Sequence, residues 1–112
     1  MANRKLSTED KKKYHLKSLF GLSVDDYNKM LVKQNYRCAT CKQQETRIAY
    51  KTGKVRYLSV DHCHKTGKIR GLLCDQCNRT LGLLRDDIET LKNMVAYLRK
   101  AERAKQKTDM AM

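Results

Sequence analysis

Residues 57–78 read YLSVDHCHKTGKIRGLLCDQCN, and the centre of the fold is predicted from this stretch. Its first six residues, 57–62, have the β-branched and aromatic content of a strand, and residues 69–73 return as a second strand after a turn at 65–68. A short helix is predicted over about 74–84. The stretch therefore predicts a β-hairpin that leads directly into a helix, which places the chain in the α+β class.

Two pairs of cysteines frame this hairpin: Cys38-x2-Cys41 precedes it and Cys74-x2-Cys77 ends it, with thirty-two residues between the pairs. Thiolates two residues apart can grip one zinc ion, and two such pairs complete a tetrahedral shell. A closed shell leaves no position for water, so the predicted zinc is structural. A redox-active Cys-x-x-Cys protein is the alternative. The fifth cysteine, Cys63, is expected to be a small buried residue.

A second group of polar residues comprises Asp61, His62, His64 and Asn78. A neutral imidazole can take a proton from water near pH 7, and carboxylate and amide oxygens suit Mg²⁺ or Mn²⁺. In a regular strand, however, Asp61 and His62 point to opposite faces. Both can reach one phosphate only if the strand ends or bulges there. From these residues alone, a second interpretation is as open as a catalytic site. In it the histidine is an ordinary surface residue and Asn78 only caps a helix.

Two helices are predicted to flank the hairpin and its zinc site. The first spans about 24–34, with Ser23 as its N-cap and an apolar stripe that belongs to the core. The second begins at Asp86, with Glu89 closing a capping box, and has one apolar and one basic face. A further hairpin is expected before the first strand, with residues 47–50 and 55–57 on either side of a tip at 52–54.

The expected organisation has four parts. They are a basic N-terminal arm over 1–19, a zinc-bound domain over 20–85, a basic amphipathic helix over 86–105 and a disordered tail over 106–112.

The charge of the chain indicates its partner. The 112 residues include 25 Lys and Arg against 12 Asp and Glu, a net charge of +13, which favours a polyanion such as nucleic acid. Binding should depend mainly on phosphates. No apolar run could cross a bilayer and no signal-peptide core is present, so we expect a cytoplasmic protein. The candidate phosphate contacts are Lys65, Lys68, Arg70, Arg79 and Arg85.

The run from Asp61 to Asn78, with Cys38-x2-Cys41 upstream, resembles the recombination endonuclease VII family of phage nucleases, within the HNH or His-Me finger group. The resemblance covers about residues 14–85. It implies a zinc-stapled ββα-metal fold with flanking helices, and DNA cleavage that requires Mg²⁺ or Mn²⁺. In this resemblance His62 is the general base, and Asp61 and Asn78 hold the catalytic cation. His64 lies near the scissile phosphate, and the four paired cysteines bind the structural zinc.

The chain also departs from that family. Junction-resolving members continue into an additional C-terminal region and work as intertwined dimers, whereas here one helix and a basic tail follow the core. A nicking or broadly acting nuclease therefore fits better, in the host cytoplasm if the gene is phage-borne, and a monomer and a homodimer both stay open. The alternative function is a non-catalytic zinc-stapled DNA-binding module.

Overall fold

The computed structural model describes residue 5 and residues 21–111, with side chains described as far as Lys105. The predicted N-terminal arm, residues 1–19, lies outside the described residues apart from Lys5. The described chain is α+β, as predicted, and forms two compact units that divide after Arg79. Its elements in chain order are α1 (Val24–Lys33), β1 (Ser59–His62), β2 (Ile69–Leu73), α2 (Asp75–Leu83) and α3 (Ile88–Ala111).

Helix α1 begins at the predicted cap. The Ser23 hydroxyl accepts a hydrogen bond from the backbone N–H of Asp26 at 3.0 Å, which satisfies one of the free donors of the first turn. Asp25 and Asp26 in the first turn, and Lys33 in the last, match the helix dipole. The helix ends at Lys33, one residue earlier than predicted, because Gln34 is its C-cap.

The core forms where α1 lies against β2. Its most completely buried side chains are those of Tyr27, Leu31, Cys38 and Leu72. The Tyr27 hydroxyl donates a hydrogen bond of 2.6 Å to the carbonyl of Leu58, and so ties α1 to the residue that precedes β1. The predicted apolar stripe of α1 is therefore part of the core.

The side chain of Gln34 closes the outer edge of β2. Its Nε2 donates to the carbonyl of Leu72 at 2.9 Å, and its Oε1 accepts from the N–H of Leu72 at 2.9 Å. The backbone N–H of Ala39 also donates to the Leu72 carbonyl, at 3.0 Å. A Cβ on Gly71 would lie 3.4 Å from Gln34 Oε1, so the amide packs closely against β2 at this residue. The Gln34 amide thus makes hydrogen bonds with the Leu72 backbone of the kind that a third strand would make.

Strands β1 and β2 pair antiparallel, and their register changes once. Asp61 pairs with Gly71 but His62 pairs with Ile69, so the register of the ladder skips Arg70, which is an extra residue on β2. A bulge of this kind increases the local twist and re-aims side chains beside it. The irregularity lies between Asp61 and His62, where both side chains were expected to reach one phosphate only if the strand ended or bulged.

The hairpin that precedes β1 is smaller than predicted. Ile48 and Val55 form a single antiparallel bridge, and the N–H of Ala49 donates to the carbonyl of Lys54 at 2.8 Å. Gly53 has a φ of 68°, a left-handed conformation that suits glycine at the tip. The expected strands 47–50 and 55–57 are reduced to this bridge.

The second unit begins at Thr80 and contains the end of α2, the turn after it and the helix α3. The predicted N-cap, Asp86, is wrong by one residue, because Asp86 has a φ of 56° and a helix N-cap needs extended backbone. Asp87 takes that place, since its carboxylate accepts from the N–H of Thr90 at 3.3 Å and from the Thr90 hydroxyl.

The backbone of α3 continues to Ala111, past the expected end at residue 105. The last part of this helix contains alanine, lysine and glutamine, all strong helix formers. None of the helices in the described ranges is long and apolar enough to cross a membrane.

Candidate functional site

The four paired cysteines converge on one point. The sulfur atoms of Cys38, Cys41, Cys74 and Cys77 all lie within 4.8 Å of one another, the one such cluster among the described residues. Cys41 Sγ and Cys74 Sγ are 3.8 Å apart. A tetrahedral ion with Zn–S bonds of about 2.3 Å separates its sulfurs by about 3.8 Å. The cluster could therefore hold a zinc ion.

Backbone hydrogen bonds shape both cysteine pairs. In the first pair, the N–H of Lys42 donates to the carbonyl of Cys38 at 3.1 Å, and Lys42 has a φ of 63°. This left-handed residue turns the chain sharply after Cys41. In the second pair, the N–H of Cys77 donates to Cys74 Sγ at 3.4 Å. The second pair is thus formed by the first turn of α2.

The thiols of the cluster differ in acidity. Burial would raise the pKa of Cys38, but hydrogen bonds from the Thr40 side chain and from backbone N–H groups outweigh it and lower that pKa to about 6. Burial raises the pKa of Cys74 to about 12, and the neighbouring thiols add to the rise. Four thiolates so close together need a cation to hold them, and zinc supplies that charge when bound.

A buried glutamate fixes the start of α2. Glu45, which is 5 % exposed, accepts a hydrogen bond of 2.6 Å from the backbone N–H of Asp75. Its other oxygen accepts from the N–H groups of Thr46 and Arg47, each at 3.0 Å. The carboxylate therefore connects the segment after the first cysteine pair to the helix that carries the second pair.

Asp75 forms ion pairs with three arginines. Its carboxylate lies 3.1 Å from Arg47, 3.2 Å from Arg56 and 3.0 Å from Arg79. The side chain of Asp75 is 12 % exposed, whereas those of the arginines are 38 to 63 % exposed. Three cations on one carboxylate leave a local excess of positive charge beside the cysteine cluster. Arg79, a predicted DNA contact, belongs to this group.

The predicted cation ligand Asp61 forms a two-point ion pair. Arg70 Nε lies 2.7 Å from Asp61 Oδ2, and Arg70 Nη2 lies 3.0 Å from Asp61 Oδ1. Asp61 is buried, with 8 % of its surface exposed. Arg70 was predicted only as a DNA contact, and its pairing with Asp61 was not anticipated.

The two predicted histidines lie side by side. The ring centroids of His62 and His64 are 5.0 Å apart, with an angle of 63° between the ring planes. His62 is half-buried at the end of β1, and His64 is exposed in the turn that follows. The site thus combines a buried carboxylate and an adjacent pair of imidazoles at the bulge.

Cys63, between these histidines, is half-buried rather than buried, so its expected place in the core is wrong. Its N–H donates to the carbonyl of Lys68 at 2.8 Å, which holds it at the mouth of the hairpin turn. Hydrogen bonds from the Thr66 side chain, and then from backbone N–H groups of the turn, lower the pKa of the Cys63 thiol. Lys65 and Lys68 are exposed in the same turn.

Asn78 lies in the first turn of α2, directly after Cys77. Its N–H donates to the carbonyl of Cys74 at 2.9 Å, and its side chain is half-buried. The cysteine cluster and the helix therefore fix its backbone. Arg85, the remaining candidate DNA contact, lies in the turn between α2 and α3 and is exposed.

The sequence analysis did not identify three residues that support the site. They are Gln34, which bonds the edge of β2, Glu45, which bonds the start of α2, and Asp75, which pairs with three arginines. The hydrogen bonds that connect them to other elements of the fold span 19 to 38 residues. No periodic pattern connects residues so far apart, so spacing could not reveal them. One feature of the sequence could have indicated the ion pairs of Asp75: it is an acidic residue inside the second cysteine pair of a very basic chain.

The fold and the site define a small α+β protein in which a four-cysteine cluster that could hold zinc joins a β-hairpin to a helix. Residues 13–100 match the recombination endonuclease VII family, and the chain belongs to that family. Membership implies a DNA endonuclease, with DNA as its substrate. No curated protein and no solved structure gives a match.

Proposed function

We propose that this chain is a metal-dependent DNA endonuclease of the HNH or His-Me finger type that hydrolyses phosphodiester bonds. The observation that carries the proposal is the arrangement at the bulge, where His62 lies beside His64 and directly follows the buried Asp61. Family membership supports the same reaction class. By the same family resemblance, we infer a phage gene and action in the host cytoplasm.

His62 acts as the general base in this proposal. A neutral imidazole near pH 7 accepts a proton from a water molecule. The oxygen of that water attacks phosphorus, and the bond from phosphorus to the 3′ oxygen breaks. The ring of His64 lies beside that of His62, with 5.0 Å between the ring centroids. His64, being exposed, is free of the core and available to the phosphate.

Asp61 and Asn78 hold the catalytic cation in this proposal. One carboxylate and one amide oxygen are hard donors of the kind that Mg²⁺ and Mn²⁺ take, together with water and phosphate oxygens. The donor set thus fits the cation. When bound, the cation stabilises charge on the phosphate and on the leaving oxygen. Asp61 is held by β1, and Asn78 by the first turn of α2.

Zinc is structural in this proposal. The four sulfurs could complete its shell, so no position remains for a reacting water. The ion would join the turn at Cys38 and Cys41 to the first turn of α2. Since Asn78 directly follows Cys77, the same ion would also steady one proposed ligand of the catalytic cation.

DNA would be held mainly through its phosphates. The hairpin turn offers Lys65 and Lys68, and Arg70 and Arg79 add guanidinium groups that suit phosphate oxygens. Arg85 adds a fifth exposed charge, in the second unit. The oligomeric state that binds DNA is a monomer or a homodimer.

One observation favours the rival function, a DNA-binding module without cleavage. Arg70 engages both oxygens of Asp61, as it would in a purely structural ion pair. The rival predicts that DNA binding persists with Mg²⁺ while the DNA stays intact. Family membership favours the enzyme.

Incubation of supercoiled plasmid with the zinc-loaded protein and Mg²⁺ tests the proposal. We expect nicked or linear DNA from the parent protein and intact plasmid from His62→Ala, with unchanged zinc content and DNA affinity. His15→Ala is the matched control, because His15 is the one histidine outside the run at 61–64. Intact plasmid with the parent protein at every Mg²⁺ and Mn²⁺ concentration would support the rival, and full cleavage by His62→Ala would remove His62 as the base.

A further inference from the structure

Three arginines from separate parts of the chain meet at the carboxylate of Asp75. Arg47 and Arg56 are neighbours across the small hairpin, where the N–H of Arg56 donates to the carbonyl of Arg47 at 2.8 Å. Arg79 lies on α2, four residues after Asp75. The three residues form an arginine cluster, in which each guanidinium lies within 3.2 Å of a carboxylate oxygen.

The arginine cluster has more donors than Asp75 uses. The closest contacts with the carboxylate are made by Nη1 of Arg47, Nη1 of Arg56 and Nε of Arg79. A guanidinium carries five N–H donors, so each of the three keeps donors beyond the one that contacts Asp75. A second acceptor can therefore bind to the cluster while all three ion pairs stay in place.

The arginine cluster is open to solvent, whereas its carboxylate is not. The side chain of Asp75 is 12 % exposed, and those of Arg47, Arg56 and Arg79 are 50, 38 and 63 % exposed. One guanidinium balances the charge of a buried carboxylate, and three around it repel one another. A structural ion pair alone does not explain the second and third cations, and an anion on the solvent side would reduce their repulsion.

The surroundings of the arginine cluster are also positive. The hairpin residues 47–56 include four basic residues and no acidic one. Arg79 adds a fifth positive charge, against the carboxylates of Asp75 and of Glu45, which bonds the N–H of Asp75. A zinc ion bound by four thiolates adds a net charge of about −2, and the total stays positive. This surface therefore favours an anionic ligand.

A DNA phosphate is the anion that fits the arginine cluster. The planar guanidinium matches two oxygens of a phosphate, and several guanidiniums can share one phosphate group. DNA is the substrate that family membership implies. Arg79 directly follows Asn78 on α2, so the cluster adjoins a residue that the proposed function assigns to the cation.

We propose that the arginine cluster, held together by Asp75, binds one phosphate group of duplex DNA, in addition to the phosphates bound at the turn that carries Lys65 and Lys68. Arg47 and Arg56 become DNA contacts in this proposal, and Asp75 is a positioning residue. The inference rests on the proposed function in taking DNA as the bound molecule, and it does not depend on cleavage.

The salt dependence of DNA binding tests the phosphate site. Fluorescence anisotropy measures the affinity of the zinc-loaded protein for a labelled duplex at several salt concentrations, without Mg²⁺ or Mn²⁺. Joint replacement of Arg47, Arg56 and Arg79 by glutamine should reduce the slope of log affinity against log salt by about 0.9, the value for one phosphate. A reduction of about 2.7 would indicate three independent contacts and overturn the shared site, as would an unchanged slope.

The control variant replaces Lys29, Lys33 and Arg37 by glutamine. These three residues are exposed and carry the same total charge as the cluster, and Arg37 likewise adjoins a paired cysteine. The control should keep the slope of the parent. Equal slopes for the two triple variants would overturn the proposal, because the effect would then reflect net charge alone.

Zinc content separates a phosphate site from charge compensation at the cysteines. Atomic absorption should find one zinc ion in both triple variants. Loss of zinc from the arginine variant alone would overturn the proposal, because the arginines would then serve the zinc centre. If that variant does not fold, Arg79→Gln replaces it and should weaken DNA binding about fivefold, whereas Arg37→Gln should bind like the parent. Equal affinities of these two single variants would overturn the proposal.

Asp75→Asn tests the positioning role against net charge. Loss of one negative charge should tighten DNA binding if only net charge matters. If Asp75 holds the cluster together, the same variant should weaken binding about threefold, because each arginine then has to be ordered when DNA binds. Tighter binding by Asp75→Asn would overturn the role of Asp75.

The plasmid assay distinguishes failure of the phosphate site from failure of the proposed function. If the arginine variant keeps the parent slope while the parent protein nicks plasmid with Mg²⁺, the phosphate site is overturned and the nuclease stands. If the arginine variant loses the expected slope while the parent leaves plasmid intact, the phosphate site stands and hydrolysis is overturned.

Discussion

The carboxylate of Glu45 accepts a hydrogen bond of 2.6 Å from the backbone N–H of Asp75, thirty residues further along the chain. Both residues are buried. The contact satisfies a donor at the start of α2 that has no partner within the helix, and places negative charge at the positive end of the helix dipole. Because α2 carries Cys77 and Asn78, Glu45 helps to set the position of both.

Removal of this carboxylate should destabilise the protein. We expect Glu45→Ala to lower the free energy of unfolding by about 2 kcal/mol, since it strips a helix cap and leaves buried N–H groups without a partner. Urea denaturation of the zinc-loaded protein measures the loss. Gln44→Ala, at the exposed neighbouring position, is the control and should unfold like the parent. An unchanged midpoint in Glu45→Ala would contradict the role of the cap.

The Tyr27 hydroxyl offers a second test of the core. Tyr27→Phe removes the hydrogen bond of 2.6 Å to the Leu58 carbonyl but keeps the ring, and should cost about 1 to 2 kcal/mol of stability. Tyr50→Phe is the control, because Tyr50 is fully exposed. Thermal or urea denaturation of both variants checks the difference. Equal stability of the two variants would show that Leu58 finds another donor.

The cysteine cluster predicts one zinc ion per chain. Cys41→Ser should lose the zinc and much of the stability of the folded hairpin region, because metal binding and folding are coupled in small sites of this kind. Cys63→Ser should retain a full complement of zinc, since Cys63 lies outside the cluster. Atomic absorption and circular dichroism measure the two effects. Full zinc content in Cys41→Ser would exclude the four-sulfur site.

Zinc affinity should rise with pH. Burial raises the pKa of Cys74 to about 12, so this thiol is protonated at neutral pH without metal and zinc must displace its proton. The affinity should increase about tenfold per pH unit for each proton displaced.

Cys38, whose pKa is lowered to about 6, adds to this slope only below about pH 6. Competition with a chromophoric chelator between pH 5 and 8, a range set about the pKa of Cys38, measures the slope. A slope that does not steepen below about pH 6 would contradict the low pKa of Cys38.

The hairpin turn should contribute to the salt dependence of DNA binding. Replacement of Lys65 and Lys68 by alanine should reduce the slope of log affinity against log salt by about 1.8, at about 0.9 for each lost phosphate contact. The control is the double variant Lys29→Ala and Lys33→Ala, which removes two exposed charges from α1. Fluorescence anisotropy with a labelled duplex and no divalent cation gives both slopes. Equal slopes for the two double variants would show a general charge effect rather than contacts at the turn.

Several parts of the fold were open to sequence reasoning because their signals are local. Ser23 caps α1 as predicted, and β2 spans Ile69–Leu73 as predicted. The α3 cap was misplaced because Asp86 and Asp87 are adjacent and both are good caps in sequence. Only the backbone conformation, with a φ of 56° at Asp86, distinguishes them.

The sequence predicted which residues belong to the candidate site better than it predicted which of them contact one another. Cysteine spacing identified the four sulfurs that cluster, since a Cys-x-x-Cys turn is a local structure. The catalytic roles of Asp61, His62, His64 and Asn78 stay predictions. Nothing in the spacing indicated that Arg70 would take both oxygens of Asp61, because that contact depends on a register change between two strands.

Residue type and short-range spacing were enough to predict the class of fold, the four sulfurs that could hold a metal ion and the basic character of the chain. The partner of each buried charge, in contrast, depends on how the segments pack against one another. Glu45 with the start of α2, Asp75 with three arginines, and Asp61 with Arg70 are all pairings between segments that packing brings together. A buried carboxylate has to find a partner, and the identity of that partner is set by the fold rather than by distance along the chain.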